Sequence, residues 1–320
     1  MLLINHINPT NLWNSFPPSN EPEDLRIGHI IKPLLDYSQL AKNDIVLLGI
    51  PQDIGVQRNG GRLGAKDAPE SIRKSLAKLS VFGLGEYQER TMYDAGDIDC
   101  SNASLEEIRE KHVEVILELL KREVKCIVLG GGHDIAFPNA MAVNKVFGDY
   151  SVVNIDPHLD VREKTNNLSH SGTPFREMLE NCPPKTFIEF GTQEFSASKI
   201  HRDFVVNHGG IIIPFSDYQV PEYFEEIVSS SIDLSKPLYM SFDVDSVASA
   251  YAPGVSAPAT IGFTSGDICS MAYKAGRFNA TIIDFVEVNP SFDKNDQTSR
   301  LAANAIAWAL KGWFDLHSQP

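Results

Sequence analysis

Short apolar runs recur along the chain, and stretches with helical spacing separate them. The runs lie at 45–50, 126–130, 150–155, 186–191, 211–214, 238–242 and 280–285. Runs of this length, rich in β-branched residues, are typical of strands buried on both faces of a sheet. The stretches 105–122 and 299–314 have helical spacing. This alternation predicts an α/β fold, with a mostly parallel sheet covered by helices on both sides.

The organisation of the chain is simple. No internal repeat, low-complexity segment or convincing linker interrupts the alternation, and 320 residues are compatible with one large α/β domain. Residues 1–43 are Pro- and Asn-rich at first and then weakly helical. We therefore predict a single domain at 44–320, with 1–43 as an N-terminal extension that packs on it.

The composition excludes several classes of partner. The formal net charge of -14 makes the chain a poor candidate for binding nucleic acid. No apolar run approaches the length of a membrane span, and the N-terminus lacks the basic and apolar regions of a signal peptide. The four cysteines show no CxxC pairing, which suits a reducing compartment. We therefore expect a cytoplasmic protein with neither a membrane nor a nucleic-acid partner.

Residues of the types that bind metals follow four of the apolar runs. They are His133 after the second run, Asp156, His158 and Asp160 after the third, Asp243 and Asp245 after the sixth, and Glu287 after the seventh. Ligands of open α/β sheets bind outside the carboxyl ends of the strands. We therefore expect these side chains to share one site.

The spacing within these clusters also points to a metal. Asp156, His158 and Asp160 fall at every second position, as do Asp243 and Asp245. On an extended backbone such residues point the same way, so we expect them to converge at the strand ends. With His133 they supply four carboxylates and two imidazoles, enough for two divalent ions that share carboxylates. The absence of a thiolate favours manganese over zinc and leaves iron, nickel and cobalt open.

Simpler interpretations exist for each motif alone. A lone DxH or DxD is usually a solvated loop, and GGGH could be a turn that binds phosphate. A P-loop, however, needs a Lys-Ser/Thr pair where this chain has His133-Asp134. Three separate clusters, each at the end of an apolar run, favour the metal site.

Further motifs follow in order from about residue 45. They are GIPQDIGV from 49, RNGGRLGA from 58, AP at 68–69, GGGHD from 130, DPHLD from 156, SFDVD from 241, APGVSAP from 252 and EVNP from 287. Together they resemble the ureohydrolase family of arginase, agmatinase and formimidoylglutamase. The resemblance implies a three-layer α/β/α domain with a parallel sheet of about eight strands and two Mn2+ ions per chain.

The resemblance also implies roles for the site residues. One ion would be held by His133, Asp156, Asp160 and Asp243, and the other by Asp156, His158, Asp243 and Asp245. A metal-bridging hydroxide would attack the amidine or guanidine carbon, since bound metals lower the pKa of water. Glu287 would pair with the planar cation of the substrate.

Within the family, the sequence is most similar to the formimidoylglutamases. Its features are APGVSAP at 252–258, SVASAY at 246–251, SGTPFR at 171–176 and Arg162 two residues after Asp160. Arg162 can bind a carboxylate, which formimidoylglutamate has and agmatine lacks. The resemblance therefore implies hydrolysis of N-formimidoyl-L-glutamate, a dicarboxylate amidine, to L-glutamate and formamide. The alternatives are an arginase, agmatinase or guanidino-acid hydrolase that releases urea, or a metal-binding member without catalysis.

Other residues are candidates for substrate contact or proton transfer. Arg58, Asn59 and Arg176 could reach the second carboxylate or brace loops. His170 could act as a proton shuttle or lie at the rim of the pocket as a loop histidine. By resemblance, we expect a homo-oligomer, either a trimer or a hexamer.

Overall fold

The computed structural model describes residues 4–19, 21, 23–85, 90–216 and 221–316. Ten strands of these residues form one sheet. They are β1 Ile7–Asn8, β2 Lys32–Pro33, β3 Ile45–Gly49, β4 Met92–Ile98, β5 Lys125–Leu129, β6 Ser151–Ile155, β7 Thr186–Thr192, β8 Ile211–Pro214, β9 Leu238–Asp243 and β10 Ile282–Val286. The order is β1-β4-β3-β5-β10-β9-β6-β7-β8, with β2 also paired to β4.

The predicted parallel sheet is confirmed. Strands β3 to β10 pair in parallel throughout, which gives the expected eight. The N-terminal segment adds β1, antiparallel to β4, and β2, parallel to β4. The apolar runs did not reveal β4, because its sequence MYDAGDI places two aspartates and a glycine inside a buried strand.

Helices cover both faces of the sheet. They are α1 Ile27–Ile30, α2 Ile54–Arg58, α3 Ala68–Leu76, α4 Leu105–Leu120, α5 Ala136–Phe147, α6 Pro174–Asn181, α7 Lys199–Asn207, α8 Pro221–Ser231, α9 Ser265–Arg277 and α10 Gln297–Phe314. The two predicted helical stretches correspond to α4 and α10. A capping box of Ser104 and Glu107 fixes the start of α4, because the Glu107 N–H bonds the Ser104 hydroxyl and the Ser104 N–H bonds the Glu107 carboxylate.

The core consists of two apolar layers, one on each face of the sheet. Because strand side chains alternate, Ile45 and Leu47 join the layer under α3, α8, α9 and α10. Val46 and Leu48 join the layer under α4, α5, α6 and α7. Burial on both faces explains why β3 reads as a continuous apolar run. The expected three-layer α/β/α architecture is thereby confirmed.

The N-terminal segment packs against the edge of the sheet through a buried polar cluster. Trp13 donates its indole N–H to Asp94 Oδ2 at 2.8 Å, and Arg73 of α3 bonds the same carboxylate at 2.7 Å and Asp97 at 2.5 Å. Arg73 and Asp94 are buried. These pairs explain how β4 tolerates its aspartates. The domain boundary at residue 43 stays a prediction.

No helix in the described ranges is long and apolar enough to cross a membrane.

Candidate active site

Four adjacent strands deliver the metal-type residues to one edge of the sheet. In the order β5-β10-β9-β6, their carboxyl ends lead to His133, Glu287, Asp243 and Asp156. Parallel strands end on the same side, so these side chains meet although they are up to 154 residues apart in the chain. The sheet order therefore explains why the motifs converge.

A glycine turn carries His133 into the site. The turn after β5 passes close to another loop, since a Cβ on Gly131 would lie 1.7 Å from the carbonyl oxygen of Gln52. His133 is fully buried, and its Nδ1 lies 3.2 Å from Asp156, 3.1 Å from Asp160 and 3.3 Å from Asp243. One nitrogen facing three carboxylates is the arrangement of ligands around a shared cation.

The aspartates do not converge by strand alternation, so that part of the prediction is wrong. Strand β6 ends at Ile155, before Asp156. Asp156 Oδ1 instead accepts the His158 backbone N–H at 2.7 Å, which closes a tight turn. Asp160 then takes the left-handed conformation, with φ of 43°. This turn, rather than an extended backbone, directs Asp160 back toward His133.

The end of β9 uses a similar turn. Asp243 Oδ1 accepts the Asp245 backbone N–H at 2.7 Å, and residues 244–246 form a 3-10 turn. Asp245 in turn accepts the Ala257 backbone N–H at 3.1 Å. The carboxylate of Asp243 is thus oriented by its own chain, and Asp245 by the segment 252–258.

The ligand atoms form two overlapping groups, within each of which the atoms lie no more than 4.8 Å apart. The first is His133, Asp156, Asp160 and Asp243, and the second is His158, Asp243 and Asp245. Asp243 belongs to both. Asp156 reaches toward the second group, since its Oδ1 lies 3.3 Å from His158 Nδ1. The expectation that Asp156 also bridges two ions stays a prediction.

The electrostatics of the cluster favour a cation. Burial and the Asp156 charge raise the pKa of Asp243 to about 6, and burial with Asp243 and Glu287 raises the pKa of Asp245 well above its usual range. Burial opposes the charged form of His158, but its bond to Asp156 raises its pKa to about 9. The carboxylates destabilise one another and draw protons onto the imidazoles. Oxygen and imidazole ligands of this kind fit divalent manganese.

Glu287 lies beside the metal groups and belongs to neither. Its φ is 65°, and its Oε1 accepts the His133 backbone N–H at 2.7 Å. Its Oε2 is buried and has no hydrogen bond of good geometry among the described residues, although the Ser256 hydroxyl is near enough to favour its charged form. Burial and the Asp243 charge raise the pKa of Glu287 to about 8. An unpaired buried carboxylate oxygen can receive the N–H of a planar cation.

A cavity of about 290 Å³ opens onto this centre. Its lining includes residues of the metal groups and Glu287 together with polar residues outside them, namely His158, Asp160, Asp243, Asp245, Glu287, Asn59, Arg62, Arg162 and Ser171. Arg162 donates to Asn59 Oδ1 at 3.2 Å, and Asn59 donates to the Ser171 hydroxyl at 3.0 Å. Among the described residues, Arg162 forms no ion pair with a carboxylate. It is therefore a cation at the cavity that can take a carboxylate from outside.

The other predicted polar residues have partners within the protein. Arg58 pairs with Glu106 at 2.6 Å and bonds the Ser169 carbonyl, and Arg176 pairs with Glu180 at 3.2 Å and stacks on Phe204. Neither arginine lines the cavity. Their proposed substrate contacts stay predictions.

His170 is held inside its own loop. It is buried, its Nε2 lies 3.1 Å from the Glu163 carbonyl, and its Nδ1 accepts the Gly172 N–H at 3.2 Å. Both ring nitrogens are thus engaged, and the ring does not line the cavity. The geometry shows a loop histidine, and its role as a proton shuttle stays a prediction.

Sequence reasoning missed Arg62. Its guanidinium bonds the carbonyls of Val255 and Ser256 and lies 4.1 Å from the centre of the Phe292 ring. These contacts place a second positive charge on the cavity wall. The available signal was its position in RNGGRLGA, the motif that contains Asn59.

Comparison with known proteins agrees with this geometry. The family model described as "Arginase family" matches residues 43–311. The formimidoylglutamase of Aeromonas hydrophila is 31% identical over 306 residues, covering 91% of this chain and 95% of its own. That of Staphylococcus epidermidis is 29% identical and covers 94% and 98%. Trypanosoma cruzi formiminoglutamase, solved with Mn2+, superposes with a TM-score of 0.83 at 33% identity, covering 93% of this chain and 100% of that one. The chain therefore belongs to the arginase family.

Proposed function

We propose that the chain is a dinuclear manganese hydrolase that converts N-formimidoyl-L-glutamate and water to L-glutamate and formamide. The observation that carries this proposal is the cavity itself, which is lined both by Glu287, with its unpaired carboxylate oxygen, and by the cation of Arg162. Such a site fits a substrate with a cationic amidine and a carboxylate. The formimidoylglutamase names of its relatives support the same substrate.

The six predicted ligands would hold the two ions. They are His133, Asp156, His158, Asp160, Asp243 and Asp245. Manganese held there would supply a nucleophile from water at neutral pH and would stabilise the charge that develops as the amidine carbon is attacked. The relative solved with Mn2+ supports this choice of metal.

The remaining site residues bind and orient the substrate. Glu287 receives the amidinium N–H groups on Oε2, while its Oε1 is fixed by the His133 backbone. Arg162, oriented by Asn59, binds one carboxylate. Arg62, held against the carbonyls of Val255 and Ser256, provides positive charge for the second carboxylate. Holding both ends aligns the amidine carbon over the metal groups.

We also propose a cytoplasmic enzyme that assembles as a trimer or hexamer. The location is supported by the four cysteines, all of which are free. The assembly rests on the family resemblance.

The test is turnover by the manganese-reconstituted protein on four substrates in parallel, namely formimidoylglutamate, arginine, agmatine and guanidinobutyrate. Formamide from the first alone is the expected result. Urea from guanidinobutyrate would identify a guanidino acid as the substrate instead, since Arg162 can bind the carboxylate of guanidinobutyrate too. Urea from agmatine, or no turnover with metal bound, would overturn the proposal.

A further inference from the structure

From the Nε2 atom of His133, which is not the nitrogen that faces the three aspartates, a chain of buried polar groups crosses two strands and two helices. His133 Nε2 lies 3.0 Å from the Ser241 hydroxyl, which lies 2.6 Å from Asp284 Oδ1. Asp284 Oδ2 bonds Asn139 Nδ2 at 2.8 Å and the Tyr239 hydroxyl. Asn139 Oδ1 lies 2.9 Å from His112 Nε2. We call Asp284 with Ser241, Tyr239, Asn139 and His112 the Asp284 relay.

The chemistry of these groups fixes the direction of each hydrogen bond. Burial raises the pKa of Asp284, but three hydrogen bonds favour its ionised form, and in that form the carboxylate only accepts. Ser241, Tyr239 and Asn139 therefore all donate to Asp284. The amide nitrogen of Asn139 therefore faces Asp284, and its oxygen must accept from His112. Ser241 has used its one proton on Asp284, so its oxygen accepts the Nε2–H of His133. The two histidines thus donate to Asn139 and Ser241, which in turn donate to Asp284.

This direction leaves one nitrogen of His133 free. With the proton on Nε2, Nδ1 presents its lone pair to the three aspartates of the first metal group, at 3.1 to 3.3 Å. Nδ1 has no hydrogen-bond partner of good geometry in the described part of the chain. The tautomer that the relay selects is therefore the one in which His133 can act as a metal ligand.

The relay is also fully shielded from solvent. Asp284, Ser241, Tyr239, Asn139 and His112 are each 0% exposed. Water cannot replace a lost member, so a buried donor or acceptor would stay unsatisfied. His112 lies on α4 and Asn139 on α5, so the relay ties the helical layer to the metal centre.

We infer that Asp284 is a positioning residue that fixes the tautomer and ring orientation of His133 through Ser241, and thereby sets the affinity of the first metal group. This inference rests on the metal centre in the proposed function but not on the identity of the substrate. It predicts that breaking the relay lowers the affinity for one of the two ions only. The second group holds its ion through His158, Asp243 and Asp245, which lie outside the relay.

The experiment measures Mn2+ binding to the full chain, with free Mn2+ followed by its paramagnetic resonance signal. The variants are Asp284→Asn, Ser241→Ala and Tyr239→Phe, and Ser241→Thr keeps the hydroxyl as a rescue. The matched control is Tyr150→Phe, because Tyr150 is also fully buried but donates to the Cys182 carbonyl, outside the relay. Circular dichroism and thermal melting in metal-free buffer verify that each variant folds.

We expect Asp284→Asn and Ser241→Ala to raise the dissociation constant of one ion by roughly 10- to 100-fold and to leave the other ion less affected. Tyr239→Phe should have a smaller effect in the same direction, while Ser241→Thr and the control should bind both ions as the wild type does. Unchanged binding in Asp284→Asn would overturn the inference, as would an equal loss in the control. Normal Mn2+ binding without turnover of formimidoylglutamate would instead overturn the proposed substrate and leave the relay standing.

Discussion

Replacing Arg162 with methionine tests how the cavity selects its substrate. Arg162 lines the cavity, bonds Asn59 and has no carboxylate partner among the described residues. Methionine keeps much of the aliphatic side chain and removes only the charged end. The substitution should therefore weaken binding of a carboxylate while the metal groups stay intact.

The size of the effect follows from the exposure of the site. Arg162 is exposed, so water screens its charge and a buried-pair energy does not apply. An exposed ion pair contributes about 0.2–1 kcal/mol, which corresponds to roughly 1.4- to 5-fold in kcat/KM. The carboxylate is not part of the amidine group that reacts, so ground state and transition state lose the same contact. We therefore expect KM to rise and kcat to stay close to its wild-type value.

The assay compares formimidoylglutamate with N-propylformamidine, an amidine that carries no carboxylate. Arg122→Met serves as the control, because Arg122 also contributes one positive charge but pairs with Glu118 away from the cavity. Arg162→Met should lower kcat/KM on formimidoylglutamate and leave kcat/KM on N-propylformamidine unchanged. The Arg122→Met control should leave kcat/KM unchanged on both substrates. An equal loss on both amidines, or none on either, would refute the assignment of Arg162.

Three further changes probe the site and the fold. Glu287→Gln should lower kcat/KM by roughly 30- to 150-fold, from a lost charged bond of about 2–3 kcal/mol, with Mn2+ content unchanged because glutamine still accepts the His133 N–H. Trp13→Phe removes the 2.8 Å bond to Asp94 and should lower the free energy of unfolding by about 1–2 kcal/mol in urea denaturation. Burial lowers the pKa of Lys125 from 10.5 to about 7, so between these values the unfolded chain binds more protons and wild-type stability rises with pH. Lys125→Met should remove that rise. In urea melts, the free energy of unfolding of the variant relative to the wild type should therefore be more favourable at pH 7 than at pH 10.

Much of the fold could be predicted because burial on both faces produces continuous apolar runs. Runs such as 45–50 and 238–242 correspond to β3 and β9, and their alternation with helices fixed the layers. Strand β4 could not be found this way. Its Asp94 and Asp97 both bond Arg73, which lies about 20 residues earlier in the sequence. A buried ion pair makes a strand look polar, and the pairing is visible only once α3 packs on the sheet.

The metal residues could be predicted for a similar reason, because each follows a strand whose end is fixed by the sheet. Their convergence was assigned to the wrong backbone geometry, since period two is shared by an extended strand and by the turn that Asp156 closes with His158. Aspartate is one of the residue types enriched in the left-handed conformation, but the residue type alone does not predict it for Asp160, because it depends on the surrounding loop.

The substrate arginines were the hardest to predict, and the reason is electrostatic. A guanidinium near a site binds substrate only if the protein leaves its charge unpaired, and pairing depends on contacts remote in sequence. Glu106 on α4 neutralises Arg58 from 48 residues away. The Arg62 side chain bonds two backbone carbonyls and an aromatic ring, none of which cancels its charge, so it keeps a positive potential at the cavity. Cations at a site should therefore be ranked by the carboxylates around them, which only the folded chain reveals.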